Sequence, residues 1–120
     1  MIETGSAIAA LSALAHPGRL AAFRLLVQAG EGGLPAGEIA RATDTVPQTL
    51  SGNLTVLAHA GLVSARRDRR SIIYAAEYAR MRELLAFLME DCCQGAPQIC
   101  APLAEIANRA CCELQAKPDA

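Results

Sequence analysis

Apolar residues recur at intervals of three and four positions through most of the chain, which predicts a mainly helical protein. The first helix is predicted over about residues 6–15. A second begins at Pro17, since proline suits the first turn of a helix. A short helix over residues 35–43 and a longer one over residues 47–60 follow. The periodicity then continues, apart from one break, over residues 77–114.

Between the helical segments lies a pattern of a different kind. Residues 62–67 and 71–75 read as two strands around a basic turn at residues 68–70, which predicts a β-hairpin. Upstream, Asp44 and Thr45 form a polar turn with capping chemistry between two short helices. Two short helices joined by a tight turn are typical of a DNA-reading helix-turn-helix. With the hairpin as its wing, the predicted fold is mainly α with a small β-hairpin, a winged helix-turn-helix.

The bulk properties fit one small folded domain over residues 1–120, with residues 115–120 as a frayed tail. The chain is 52% hydrophobic and 19% charged, which suits a globular protein rather than a disordered one. A chain of 120 residues buries limited apolar surface alone, so a homodimer would add to its core. The formal net charge is −1, so any binding to DNA must come from a local basic patch.

The compartment follows from what the chain lacks. Its N-terminus has no basic segment followed by a long apolar run, and no apolar stretch approaches the roughly 18 to 20 residues needed to span a bilayer. We therefore expect a cytoplasmic protein with no membrane partner. Thiols stay reduced in that compartment, so the five cysteines do not predict a disulfide framework. All five lie beyond residue 91, which needs another explanation.

Two groups of side chains are predicted to contact DNA. The helix over residues 47–60 carries a small polar face opposite its leucines, and Gly52 on it would permit close backbone approach. The hairpin carries four arginines against Asp68, an excess of positive charge suited to phosphate or minor-groove contact. The predicted contacts are Gln48, Thr49, Ser51, Asn53, Arg66, Arg67, Arg69 and Arg70. The alternative is that both groups are simply solvated surface.

Three strings give the chain a family resemblance. They are LAHPGRL at residues 14–20, LSGNL at residues 50–54 and AGLV at residues 60–63, followed by the arginine-rich hairpin that ends in Tyr74. In their order and spacing they resemble the ArsR/SmtB family, over roughly residues 7–115. The resemblance implies a homodimeric winged-helix repressor that binds double-stranded operator DNA and senses a metal or metalloid.

The same resemblance sets expectations for the ends of the chain and for two departures. We expect dimerisation helices at both ends, over about residues 6–15 and 77–114. Asn53 stands where the family often has histidine, and it is still a competent hydrogen-bonding group. Arg69 stands where the hairpin usually has glycine.

The family's two best-known ligand sites are missing from the sequence. Residues 34–38, where the founding arsenic sensors carry cysteines, contain none, and no histidine follows His59 to complete a zinc-type site. His16 and His59 are isolated, and we interpret each as a surface or capping residue. What remains is a cysteine cluster over residues 92–100, which resembles the C-terminal arsenic site of a subset of ArsR repressors.

The donor set of that cluster indicates its ligand. Cys92, Cys93 and Cys100 offer three thiolates, which suit a soft three-coordinate ion, whereas zinc prefers a fourth ligand. We predict arsenite (As(III)) or antimonite (Sb(III)) as the inducer that releases DNA, and no organic cofactor. Cys111 and Cys112 are possible accessory thiols, although Cys111 lies on the order of 13 Å along the last helix from Cys100.

A stripe of Met81, Leu85 and Leu88 continues to Cys92 with steps of four, three and four residues. If this stripe packs at the dimer interface, ligand binding would act on the surface that spaces the two DNA-reading helices.

Two alternatives stay open. The vicinal thiols could instead sense methylarsenite, which needs two thiols, or oxidants through disulfide formation. A thiol-dependent arsenic enzyme, such as an arsenate reductase or disulfide oxidoreductase, is the other alternative. The chain lacks a Cys-x-x-Cys motif and a phosphate-cradling loop, so we predict that it is not an enzyme.

Overall fold

The computed structural model describes residues 2–89. Predictions about residues 90–120, namely the cysteine site, the last helix and the frayed tail, lie outside the described residues. The described elements are, in chain order, α1 (Thr4–Leu14), α2 (Pro17–Ala29), β1 (Leu34–Pro35), α3 (Ala36–Ala42), α4 (Pro47–His59), β2 (Val63–Asp68), β3 (Ser71–Ala76) and α5 (Tyr78–Met89).

The three strands form one antiparallel sheet in the order β1-β3-β2. β2 and β3 form the predicted hairpin, in which Asp68 lies opposite Ser71. β1 differs from the prediction, because residue 35 was expected to begin a helix. Instead Leu34 pairs with Tyr74 of β3. A two-residue strand is too short to show an alternating pattern, so the tertiary pairing decides it.

Gly33 allows β1 to reach the sheet. Its φ of 71° lies in the left-handed region that glycine adopts readily. A Cβ at this position would collide with the carbonyl of Tyr74. The glycine-rich loop after α2 therefore does more than end that helix at Gly30: it lets two backbones meet.

The core lies between α1, α2, α3, α4 and the sheet. The leucine stripe predicted for the fourth helix is confirmed, since Leu50, Leu54 and Leu57 are all buried. They pack in one cluster with residues from the other elements. The largest fully buried side chains are Leu26, Ile39, Leu50, Leu54, Leu57 and Leu62. The helix ends as predicted at Gly61, whose φ is 79°.

The ends of two helices test the capping predictions. His16 is the N-cap of α2, and its Nδ1 accepts from the backbone N–H of Gly18 at 3.1 Å and of Arg19 at 3.3 Å. The capping role predicted for Asp44 and Thr45 is wrong, because the N-cap of α4 is Val46.

The turn residues use their hydroxyls elsewhere. Thr45 Oγ1 lies 2.9 Å from Thr43 Oγ1 and donates to the Thr43 carbonyl at 3.1 Å. Asp44 takes a φ of 50°, which lets the chain reverse between α3 and α4. These side chains therefore stabilise the turn and leave the first turn of α4 without a side-chain cap.

Two helices leave large apolar side chains exposed. In α1 the alanines Ala7, Ala10 and Ala13 are buried, while Ile8 and Leu11 are exposed. Alanine lets helices pack closely, which accounts for the choice of inner face. In α5, Leu84 is buried, and Leu85 and Leu88 of the predicted stripe are exposed.

Candidate nucleic-acid interface

α3, a turn over residues 43–46 and α4 form the helix-turn-helix. α3 packs against α4, with Ile39 and Leu50 both fully buried between the elements. Because the leucines fix one face of α4 against the core, its opposite face is held outward. The geometry therefore presents one rigid helical surface to solvent.

That outward surface carries three of the four DNA contacts predicted on this helix. Gln48, Thr49 and Ser51 are exposed in the first half of α4. Thr55, one turn further on, is also exposed, but its hydroxyl donates to the Ser51 carbonyl at 2.9 Å. The side chains near the N-terminus of the helix thus keep free donors and acceptors of the kind that read base edges in a major groove.

Asn53 does not belong to this surface, and its predicted contact with DNA is corrected here. The side chain is 7% exposed. Its position three residues after Leu50 and one before Leu54 places it on the inner side of the helix. There its Nδ2 lies so near Gly18 that a Cβ on Gly18 would come within 2.9 Å. Asn53 fills the space beside the start of α2.

Gly52 is the feature of α4 that the fold does not explain. It lies in the middle of a helix, where glycine costs about 1 kcal/mol relative to alanine. It is exposed, and a Cβ built on it meets nothing within 4 Å. Its φ is not in the left-handed range. Glycine is therefore not needed for packing or for backbone conformation at this position.

The hairpin places its arginines at the other end of the sheet from Val63. Arg67, Arg69 and Arg70 are exposed at and beside the two-residue turn. Arg69 takes a φ of 59° at the position where the family resemblance expects glycine. The tip is thus a compact group of cations, which suits contact with phosphates.

Arg66 is exposed like its neighbours but already has a partner. Its Nη2 donates to the carbonyl of Gly32 at 2.8 Å, across 34 residues of sequence. Arg66 and Arg67 point to opposite faces of the strand. Arg66 therefore ties the hairpin to the loop after α2, and Arg67 is the better placed of the two for DNA.

Sequence reasoning missed the bonds that hold the helices together. Arg19 Nε donates to the carbonyl of Ala13 at 2.6 Å, which satisfies a C-terminal carbonyl of α1. Tyr78 Oη donates to the carbonyl of Val27 at 3.0 Å and anchors the start of α5 to α2. A basic residue soon after a helix end is a sequence signal for the first bond. The second joins residues 51 apart and has none.

Residues 2–89 contain neither a metal site nor a membrane span. Within that range, no group of three or more His, Cys, Asp or Glu side chains could hold a metal ion. The predicted metalloid ligands Cys92, Cys93 and Cys100, and the accessory thiols Cys111 and Cys112, lie outside the described residues. None of the helices described is long and apolar enough to cross a membrane.

The fold and its outward surface define a winged helix-turn-helix, and comparison with known proteins agrees. A family of helix-turn-helix domains matches residues 14–65. The HTH-type transcriptional regulator YgaV of Escherichia coli (strain K12) is 31% identical over 87 residues, which cover 72% of this chain and 86% of that protein.

Two solved structures are similar to this chain, and the description of the first gives the family. A homodimeric winged helix-turn-helix DNA-binding domain from Mycobacterium bovis, described as a possible ArsR-family regulator, aligns with a TM-score of 0.60 at 30% identity, covering 71% of this chain and 77% of that one. The transcriptional repressor BigR from Xylella fastidiosa aligns with a TM-score of 0.55 at 32% identity, covering 66% and 79%. The chain belongs to the ArsR family of winged helix-turn-helix transcriptional regulators; it is a DNA-binding regulator and not an enzyme.

Proposed function

We propose that two copies of this chain bind operator DNA as a repressor, with α4 in the major groove and the hairpin arginines on phosphates or in the minor groove. The observation that carries the proposal is Gly52. An exposed helix-interior glycine with open space around it lowers the stability of the free protein. On a surface that meets DNA, it lets the helix backbone approach closely.

The homodimer is proposed from the apolar surface that the single chain leaves in water. Ile8 and Leu11 on α1 are 61% and 42% exposed, and Leu85 and Leu88 on α5 are 45% and 51% exposed. Burying a fully exposed side chain of this kind contributes about 1.5–3 kcal/mol, and a half-exposed one contributes about half of that. We propose dimerisation through helices at both ends, over about residues 6–15 and 77–114. The Mycobacterium bovis domain is described as homodimeric, which supports the same assembly here.

The inducer is proposed from the chemistry of the cysteines. Cys92, Cys93 and Cys100 would hold As(III) or Sb(III), with Cys111 and Cys112 as possible accessory thiols. Cys92 follows the exposed residues Leu85 and Leu88 at steps of three and four, so ligand binding would act on the proposed dimer surface. Lowering DNA affinity 100-fold this way needs about 2.7 kcal/mol of coupling. A regulator that acts on DNA in this way would work in the cytoplasm.

The test is a DNA-binding measurement under reducing conditions. A duplex selected from a random pool by the purified protein serves as the probe, and fluorescence anisotropy gives its affinity. Arsenite, antimonite, methylarsenite and peroxide are then titrated against the complex. We expect arsenite or antimonite to release DNA from the wild type but not from Cys100→Ser, which should bind the duplex normally.

Each other outcome contradicts a named part of the proposal. If no duplex is enriched, α4 does not read DNA. If Cys100→Ser still responds to arsenite, that ligand assignment is wrong. Release by peroxide alone would favour thiol oxidation, a possibility raised by the description of one structural neighbour, from Vibrio cholerae, as reduced HlyU. Cys111→Ser tests the accessory thiols: a response like that of the wild type would exclude Cys111 from the ligand site.

A further inference from the structure

The exposed surface of α4 divides into two stripes that differ in chemistry. One consists of Gln48, Ser51 and Thr55, and it is polar. The other consists of Val46, Thr49, Gly52 and Val56, which repeat at steps of three and four residues and are all exposed. We call them the polar stripe and the methyl stripe. The polar stripe accounts for hydrogen bonds to bases, whereas the methyl stripe is unused by the function proposed so far.

Val46 is 64% exposed, more than Val56, the other valine of the methyl stripe. It is the N-cap of α4, with φ −61° and ψ 136°, and it is absent from the side chains that pack against the core. Valine is among the poorest N-cap residues, and Ser, Thr, Asp or Asn would stabilise the helix by about 1 kcal/mol. The free protein therefore gains neither packing nor capping from this side chain.

The rest of the methyl stripe has the same character. Val56 is apolar, yet it lies on the solvent side of the helix and is 40% exposed. Between the two valines, Gly52 leaves open space, and Thr49 offers a methyl group beside its hydroxyl. Single exposed apolar residues are common on protein surfaces. Here they recur at steps of three and four residues, all exposed, along the helix that also carries the polar stripe.

The major groove supplies one apolar group that such a stripe can contact. Base edges there present hydrogen-bond donors and acceptors, and thymine adds its C5-methyl group. The first residues of a recognition helix are the ones that reach base edges. Val46 stands at that end of α4.

We propose that the methyl stripe reads thymine, with Val46 packed on a thymine C5-methyl group in each half-site and Val56 making a weaker contact of the same kind. The inference rests on the proposed binding of α4 in the major groove. It makes Val46 a residue that determines sequence specificity, although it forms no hydrogen bond. Thymine at the contacted position is then preferred over bases that lack the C5-methyl group.

The test removes the methyl group from the DNA and then from the protein. In the duplex selected by the wild type, each thymine is replaced in turn by deoxyuridine, which keeps base pairing and loses the C5-methyl. At one position per half-site we expect wild-type affinity to fall about fourfold, the equivalent of one methyl removed from an apolar contact. Val46→Ala should bind the thymine and deoxyuridine duplexes equally at that position.

Two further variants separate specificity from folding. Val46→Thr keeps the size of the side chain and adds a hydroxyl that can cap α4, so it should raise the melting temperature while reducing the preference for thymine. Ile72→Ala is the control, because it shortens another exposed branched side chain, 45% accessible, on β3 instead of α4. It should keep the wild-type preference.

The outcomes distinguish this inference from the function on which it rests. Failure of the wild type to bind any selected duplex would overturn DNA reading by α4 altogether. Binding that no deoxyuridine substitution weakens would leave that function standing and overturn the methyl contact. A thymine preference that persists in both Val46→Ala and Val56→Ala would show that other residues read the methyl group.

Discussion

α1 and α4 are helices of similar length, 11 and 13 residues, whose two faces are made in opposite ways. α4 buries leucines and exposes small polar and glycine positions. α1 buries alanines and exposes an isoleucine and a leucine. Both helices pack against the same core. The difference therefore does not come from packing against different cores.

The difference shows what each outer face is for. A helix whose outer face meets water needs a large inner face to hold it in place, and its outer residues are free to serve a polar partner. A helix that exposes its large apolar residues presents a surface suited to an apolar partner. The first description fits α4 and DNA, and the second fits α1 and another copy of the chain.

Leu54→Ala should have the largest effect, because this leucine is 1% exposed in the centre of the inner face of α4. We expect the free energy of unfolding to fall by about 2–5 kcal/mol, the range for a leucine truncated in a packed core. Urea denaturation monitored by circular dichroism measures it. Leu11→Ala is the counterpart on α1 and should cost much less in a monomer, so equal losses would refute the contrast.

Leu11→Glu should weaken the dimer and leave the protomer folded. The side chain is 42% exposed in the protomer, so a carboxylate there meets water in the monomer but apolar surface in a dimer. We expect the dimer dissociation constant to rise at least about tenfold, measured by sedimentation equilibrium. Leu11→Gln, of similar size and uncharged, should give a smaller shift. An unchanged constant in both would exclude α1 from the interface.

Gly52→Ala should change stability and DNA affinity in opposite directions. The new Cβ meets nothing within 4 Å, so the free protein should gain about 1 kcal/mol of helix stability. DNA affinity should fall by roughly tenfold, since an extra methyl group in a tight contact costs about 1–3 kcal/mol. Thermal denaturation and anisotropy measure the two effects.

The control for Gly52→Ala is Gly5→Ala. Gly5 also lies in a helix with open space around it, but in α1. Its alanine variant should keep wild-type DNA affinity. Tighter DNA binding by Gly52→Ala would mean that no close backbone approach occurs at this position.

Arg67→Ala and Arg66→Ala should have the smallest and most distinct effects. Arg67 is proposed to contact phosphate, so its loss should weaken binding to many sequences alike and reduce the salt slope by about 1. Arg66 is bonded to the Gly32 carbonyl, so its loss should leave the slope nearer the wild-type value. Affinity measured across a salt series checks both. Identical slopes in the two variants would remove the distinction between them.

Where local patterns decided the structure, the sequence was a reliable guide. The leucine spacing of α4, Gly61 at its end and the basic hairpin all depend on residues close together in the chain. The chain order of these elements also predicted a DNA-reading surface. His16 as a cap follows from the same kind of local chemistry.

Features that depend on distant partners could not be predicted in this way. The pairing of Leu34 with Tyr74 has no pattern of its own, and Asn53 looked like a DNA contact until the position of Gly18 was known. The inner face of α1 is set by how near its neighbours approach, which alanine content alone does not reveal. The cysteine ligands rest on the sequence and on the family resemblance.

The cap on α2 fixes the tautomer of His16. Nδ1 accepts two backbone N–H groups, so in the neutral ring the proton resides on Nε2. That leaves Nε2 as a donor and Nδ1 without room for a metal ion or an alkylating reagent. The ring nitrogens should therefore give two well-separated resonances in a nitrogen NMR spectrum. The loss of that separation would report fraying at the start of α2, beside the point where Asn53 meets Gly18.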